Sequence, residues 1–147
     1  MAFTTLILMV DNIDRKIIDI LKLNSRLPYA ELGKQIFLSP SSVRERIKKL
    51  EDSGVIKGYT LRLDQTLLGN NLEVFIMLKI FSGKFKTALA EIESHSEVKE
   101  AFRITGQHNL HLRVALRDQL HLQQFIDKLL NFGEPTTHLI LSRVGKE

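Results

Sequence analysis

The hydrophobic period of this chain changes once, near residue 70, and that change limits the possible folds more than any single motif does. Ahead of it, apolar residues recur every three or four positions, the spacing that lines one side of a helix. Behind it they alternate, the spacing that covers one face of a strand. Ile13, Ile17, Ile18, Ile20 and Leu21 form a broad helical face, and Asp11 stands where an N-cap belongs. Leu32 and Ile36, four apart, predict a second, shorter helix beginning near Pro28. A third follows Leu38-Ser39-Pro40, with Ser39 as N-cap and Pro40 at the first helical position, where a missing N–H costs nothing. Val43, Ile47 and Leu50 make its buried stripe, and Gly54 ends it. The run from Val55 to Leu63 then reads as a strand. Three short helices followed by such a strand predict a winged helix-turn-helix domain over residues 1–62.

Residues 63–71, with Asp64, Gly69, Asn70 and Asn71, read as a linker. From residue 72 the chain spells β-α-β-β-α-β. Leu72, Val74, Ile76, Leu78 and Ile80 alternate with Glu73, Phe75, Met77, Lys79 and Phe81, and a helix carrying Phe85, Ala88, Leu89 and Ile92 follows. Two alternating runs, 100–105 and 109–116, flank a tight loop at Gly106. Asp118 caps a helix bearing Leu122, Phe125, Ile126, Leu129 and Leu130, and Gly133-Glu134-Pro135 turns the chain into a last strand over 137–144. The fold class is therefore α+β, an N-terminal winged helix-turn-helix domain plus a C-terminal ferredoxin-like βαββαβ domain over 72–147. Helices cover only one face of such a sheet, yet Phe75, Met77 and Phe81 point to the other, with His111 and Arg113 expected beside them. A large apolar face left open marks an interface, and closed two-fold pairing is its commonest solution, so a homodimer is expected.

Composition narrows the chemistry. The chain has no cysteine, which excludes disulfides, thiolate zinc sites and a cysteine nucleophile and suits a reducing, cytoplasmic setting. No apolar stretch approaches the roughly 20 residues of a membrane span, so no membrane partner is expected. Residues 1–10, MAFTTLILMV, lack the basic flank of a signal peptide. They read as an arm that pairs with a partner, or as leader sequence ahead of a start at Met9. The net charge is +4, with 11 Lys and Arg against 8 Asp and Glu in residues 1–64 and 10 against 9 thereafter. The excess sits in the half that would meet phosphate.

Within that half, Ser41, Ser42, Glu45, Lys48 and Lys49 lie opposite the buried stripe of the third helix, with Arg44 and Arg46 on its flanks. Residues near the start of a recognition helix reach base edges, and arginine can bind guanine O6 and N7 bidentately. Ser41, Ser42 and Arg44 are therefore assigned to base reading, and Arg46, Lys48 and Lys49 to the phosphate backbone. Lys57 and Arg62 would add phosphate contacts from the wing. The same run also suits a plain solvated helix, with Glu45 and Lys49 paired four residues apart. Enzymatic signals are weak. His108 and His111 span a turn with no carboxylate cluster, so no metal and no cofactor are called for. No phosphate loop or nucleophile elbow is present, and Glu91/Glu93 and Glu97/Glu100 read as exposed charges.

The uninterrupted LSPSSVRERIKKLEDSGVIKGYT of residues 38–60, preceded by DNIDRKIIDIL, resembles the Lrp/AsnC (leucine-responsive/asparagine regulator) family of transcription factors. The resemblance runs from about Val10 to Val144. It implies a regulator that binds double-stranded DNA, an effector-sensing C-terminal domain, dimers paired through their sheets, and assembly of dimers up to octamers. It also implies an effector loop at Thr105, Gly106, Gln107, His108 and Asn109, for an amino acid or related metabolite. Here the chain departs from the family. Amino-acid-binding members tend to carry Gly-Asp-x-Asp, whereas this loop reads Gly106-Gln107-His108-Asn109, which removes both carboxylates that would face an ammonium group. A second departure is Phe37, where the family commonly places glycine. A large side chain at positive φ is strained, so a different turn geometry is expected, with Phe37 packed on the first helix. Two other readings stay open: a DNA-organising protein with no ligand, and an enzyme similar to siroheme decarboxylases. The decarboxylases' His-Asn signature falls one segment too late here.

Overall fold

The computed structural model describes residues 10–144, so the arm expected over residues 1–10 lies outside them save for Val10. Contacts divide the chain into two units, one ending at Arg62 and the other beginning at Leu63.

The first unit holds three helices, α1 (Asn12–Leu23), α2 (Tyr29–Ile36) and α3 (Pro40–Asp52). Asp11 and Asp14 close the start of α1 reciprocally: the Asp14 N–H donates to Asp11 Oδ1 at 2.8 Å, and the Asp11 N–H to Asp14 Oδ2 at 3.1 Å. Ile17, Leu21, Leu32, Val43, Ile47 and Leu50 meet in one core. Each such side chain contributes about 1.5–3 kcal/mol when fully buried.

The segment after α3 forms no strand, contrary to the expectation for 55–63. Among the described residues this unit offers no second strand to pair with it, and Val55, Tyr59, Leu61 and Leu63 stay exposed. An alternating pattern without a partner has no ladder to join. What holds the segment is local. The Ile56 N–H donates to the Leu50 carbonyl at 3.0 Å, and the Tyr59 hydroxyl donates to Glu51 Oε1 at 2.8 Å. Partial burial first, and the Glu51 carboxylate second, push the Tyr59 phenol up to about 12.

The turn between α2 and α3 also differs from expectation. Phe37 keeps the left-handed conformation, φ 58° and ψ 43°, and its side chain is 94% exposed instead of packed on α1. The Leu38 N–H donates back to the Gly33 carbonyl at 2.9 Å, the six-to-one bond of a Schellman ending. Glycine is required here at position 33. A Cβ on Gly33 would lie 2.4 Å from the Leu38 carbonyl oxygen.

The second unit is a four-stranded antiparallel sheet in the order β2-β3-β1-β4. Its strands are β1 (Leu72–Ile80), β2 (Val98–Arg103), β3 (Leu110–Leu116) and β4 (Gly133–Leu139), with helices α4 (Phe85–Ser94) and α5 (Gln119–Leu129). Val74, Ile76, Leu78 and Ile80 of β1 are buried with Leu110, Leu112, Val114 and Leu116 of β3, under Ala88, Ile92, Phe125 and Leu129 of the helices. Asp118 caps α5 by accepting the His121 N–H at 2.8 Å. Leu130, expected on the buried face, is the exposed C-cap. The expected linker is a hydrogen-bonded turn, with Asp64 Oδ1 accepting the Thr66 N–H at 2.9 Å.

The last strand starts and ends earlier than its alternation suggested. Gly133, Glu134 and Pro135 are within β4, opposite Ile80, Lys79 and Leu78, and the strand stops at Leu139. Proline is tolerated there because β4 is an edge strand. Gly133 is needed because a Cβ would lie 2.4 Å from the Lys79 carbonyl oxygen.

Gly33→Ala tests the turn. The new methyl collides with backbone, so a loss of about 2 kcal/mol is expected in denaturant unfolding, even after the entropy that alanine removes from the unfolded chain. Unchanged or higher stability would mean that the Leu38 carbonyl moves aside freely.

Candidate nucleic-acid interface and ligand loop

The start of α3 is built around one hydroxyl. Ser39 Oγ accepts the Ser42 N–H at 3.2 Å and lies 3.0 Å from Ser41 Oγ and 2.8 Å from Ser42 Oγ. Both serines assigned to base reading therefore cluster at the cap, one turn from Arg44. Arg44, Lys48 and Lys49 are exposed, and among the described residues none of them forms an ion pair. The Glu45–Lys49 pair of the plain solvated-helix reading is not formed either. Lys57 is exposed beyond the end of α3.

Arg46 does not join this set. Its Nη1 donates to Asp11 Oδ2 at 2.7 Å and to Asp14 Oδ1 at 2.8 Å, and the Asp14 side chain is only 5% exposed. The guanidinium assigned to phosphate ties α3 to the start of α1 through Nη1. The Asp14 backbone N–H first, and Arg46 second, hold the Asp11 carboxyl below its ordinary value.

In the second unit, the loop at Thr105–Asn109 joins β2 to β3. Gly106 has φ 111°, a conformation that needs glycine. Thr105, Gly106 and Gln107 are exposed, while His108 and Asn109 are half-buried. Asn109 is held on the end of β1: its N–H donates to the Leu78 carbonyl at 3.1 Å, and its Oδ1 accepts the Ile80 N–H at 2.8 Å. His108 Nε2 lies 3.3 Å from Thr136 Oγ1 of β4. Thr136 is a neighbour of the loop that sequence reading missed, because β4 was placed one residue beyond it.

On the sheet face away from the helices, Phe75 stacks on His111 with centroids 5.0 Å apart and planes at 24°. Met77 is opposite His111, and Phe75 opposite Arg113. Arg113 donates from Nε at 3.1 Å and Nη2 at 3.0 Å to Glu73 Oε2, and its Nη1 is 3.5 Å from Glu100. Phe102, exposed and paired with His111 across β2 and β3, belongs to this face and was missed. Its place in an alternating run was the available signal. Phe81 lies one residue past β1, its N–H bonded to the Phe132 carbonyl at 2.9 Å.

Glu97 is not the exposed charge expected. It is half-buried, 3.0 Å from His121 Nε2 and 3.6 Å from His95 Nδ1. Its own backbone N–H first, and the histidines after it, lower its carboxyl. His95 reaches Glu91 as well, at 3.0 Å, so these contacts fasten the end of α4 to the start of α5.

Residues 10–57 match the family model for winged helix-turn-helix DNA-binding domains, and residues 73–147 match that for the Lrp/AsnC ligand binding domain. The HTH-type transcriptional regulator FL11 of Pyrococcus furiosus is 33% identical over 140 residues, covering 94% of this chain and 93% of that protein. The structure of Bacillus subtilis LrpC superposes with a TM-score of 0.88 at 33% identity, covering 93% of this chain and 98% of that one. A Neisseria meningitidis transcriptional regulator solved as an L-Met complex has a TM-score of 0.87 at 27% identity, covering 92% of each chain.

The Asp11–Arg46–Asp14 tie yields a signed pH dependence. A carboxyl with a lowered folded value contributes stability that is present above the unfolded value, near pH 4, and is lost as pH falls towards the folded one. Asp11→Asn should therefore be less stable than wild type at pH 7, with the gap closing below about pH 4. A gap that stays constant down to pH 2 would remove the ionised Asp11 from the account.

Proposed function

This chain belongs to the Lrp/AsnC family of transcriptional regulators, a DNA-binding regulator that responds to an effector, and from that premise we propose which residues carry each task. Ser41, Ser42 and Arg44 read bases. Lys48, Lys49 and Lys57 hold phosphates. Arg46 serves as the internal tie that sets the angle of α3. The observation that carries this division is the contrast in ion pairing along one helix: Arg46 is engaged by two carboxylates, while Arg44, Lys48 and Lys49 face solvent without a carboxylate partner among the described residues.

The open sheet face supports a homodimer. Arg113 is already neutralised by Glu73 and Glu100 within the chain, so what remains to be covered is the apolar surface of Phe75, Met77 and Phe102 with His111. Phe81 joins it from just beyond the strand. Two α3 helices related by a two-fold axis would read a pseudo-palindromic site, with half-sites about one helical turn apart or a multiple of it. Assembly of dimers to octamers is a further expectation from family resemblance.

Thr105, Gly106, Gln107 and His108 form the effector loop, with Asn109 as the residue that fixes it to β1. The side-chain oxygen of Asn109 accepts the Ile80 N–H, which holds the side chain against the end of β1. A small molecule held here would meet the Gln107 amide, the His108 ring and Thr136 rather than a carboxylate pair. That composition favours an effector bound through neutral hydrogen bonds over a free ammonium group held by charge. Among the described residues no helix is long and apolar enough to cross a membrane, and we place the protein in the cytoplasm, where its DNA would be.

Binding to duplex DNA at two salt concentrations tests the interface. Arg44→Ala should lower affinity for the preferred site by about tenfold or more and relax its sequence choice. Lys49→Ala should weaken all sequences alike and reduce the salt slope by about one. Equal losses on preferred and random DNA for Arg44→Ala would take it out of the base-reading set. For the sheet face, Phe75→Glu should shift the sedimenting species to a monomer, and a dimer of unchanged stability would place the contact elsewhere.

A further inference from the structure

Phe37 is the one non-glycine residue at positive φ among the described residues, and its ring is 94% exposed. A phenylalanine in the left-handed region carries a conformational cost, and an exposed ring offsets none of it by packing within the chain. The strain is not a by-product of a loose loop. The turn is pinned by the Leu38 N–H on the Gly33 carbonyl and by the close approach of the Leu38 carbonyl to Gly33. The ring is thus projected from a fixed point two residues before Ser39, whose hydroxyl holds Ser41 and Ser42 at the start of α3. Its exposed neighbours in the chain, Lys34, Gln35 and Ser39, are polar. That is the surround of a nucleic-acid face rather than of an apolar protein interface.

Resting on the DNA-binding reading, we propose that Phe37 is a specificity-determining residue that contacts the 5-methyl group of a thymine at the edge of each half-site. The chemistry leaves little choice of partner. An uncharged ring gains nothing from phosphate, and the thymine methyl is the apolar group that base pairs present in the major groove. A recognition helix enters that groove by its N-terminal end, so the turn that leads into it sits at the groove's mouth. The contact adds apolar readout beside the polar readout of Ser41, Ser42 and Arg44, and it discriminates thymine from cytosine at a position those side chains do not need to reach.

The test uses the full chain and a duplex selected from a random pool by the wild-type protein. Each thymidine is replaced in turn by deoxyuridine, which deletes the methyl alone, and affinity is read by fluorescence anisotropy for wild type and for Phe37→Gly. Wild type should lose about three- to tenfold at one thymine per half-site. Phe37→Gly should bind the parent duplex about tenfold more weakly, be indifferent to that methyl, and melt no lower than wild type because glycine relieves the turn. Phe37→Asn, which also tolerates this conformation, should behave the same way. Unchanged affinity in Phe37→Gly would overturn the proposal. So would a weakened variant that keeps its deoxyuridine sensitivity, or a change in sedimentation that marks Phe37 as a subunit contact. Failure of the wild type to select any duplex would instead strike the DNA-binding reading itself.

Discussion

Beside the apolar core that α3 shares with the other two helices, one guanidinium ties α3 to the start of α1. Arg46 bridges Asp11 and Asp14, the same two carboxylates that close the N-terminus of α1. The arrangement is economical in atoms and demanding in geometry. Asp14 is 3% exposed as a residue, and a carboxylate taken so far out of water is costly unless a cation and backbone donors face it. The cap, the buried charge and the interhelical tie therefore stand or fall together. Both bonds leave from Nη1, and the two carboxylates offset the charge of Arg46, whereas Arg44, Lys48 and Lys49 are exposed cations of α3 without an ion pair among the described residues.

A comparable division of labour runs through the second unit. With a period of two, each strand must show one row of side chains to the helices and another to the opposite side. Val74, Ile76 and Leu78 take the covered row. On the other row the chain balances its own charge, with Arg113 between Glu73 and Glu100, and leaves aromatic surface standing at Phe75, Phe102 and His111. Such a face resembles half of an interface more than a finished exterior. The loop at Thr105–Asn109 is tied to the same sheet, because Asn109 continues the hydrogen bonding of β1 from within the loop. Displacement of that loop would be felt at the end of β1, through the bonds of Asn109 to Leu78 and Ile80.

The turn ahead of α3 shows how two residues can share a task usually given to one glycine. Gly33 supplies the missing Cβ that lets the Leu38 carbonyl approach, and Phe37 supplies the left-handed backbone at a conformational cost of about 1–2 kcal/mol. The expectation that a bulky residue would force another geometry failed for a clear reason. The six-to-one hydrogen bond and the close approach at Gly33 over-determine the turn, and together they outweigh the preference of one side chain.

Much of this protein is written locally. The change of hydrophobic period, the caps at Asp11, Ser39 and Asp118, and the βαββαβ order follow from residues within a few positions of one another, because helix and strand formation respond to near neighbours. The exposed face of α3 was legible in the same way. The strand expected at 55–63 was not there, since alternation states what a strand would bury but cannot supply its partner. β4 was misplaced because Gly133 and Pro135 signal a turn when read alone and an edge strand when read against β1. The sequence by itself determined the helices, the βαββαβ order of the second unit and the candidate reading residues. Only the tertiary structure decided that Arg46 is a tie, that Asn109 locks a loop and that Phe37 stands free. The partners of Arg46 lie 32 and 35 residues away and that of Asn109 lies 29 away, and no local pattern encodes a contact across such distances.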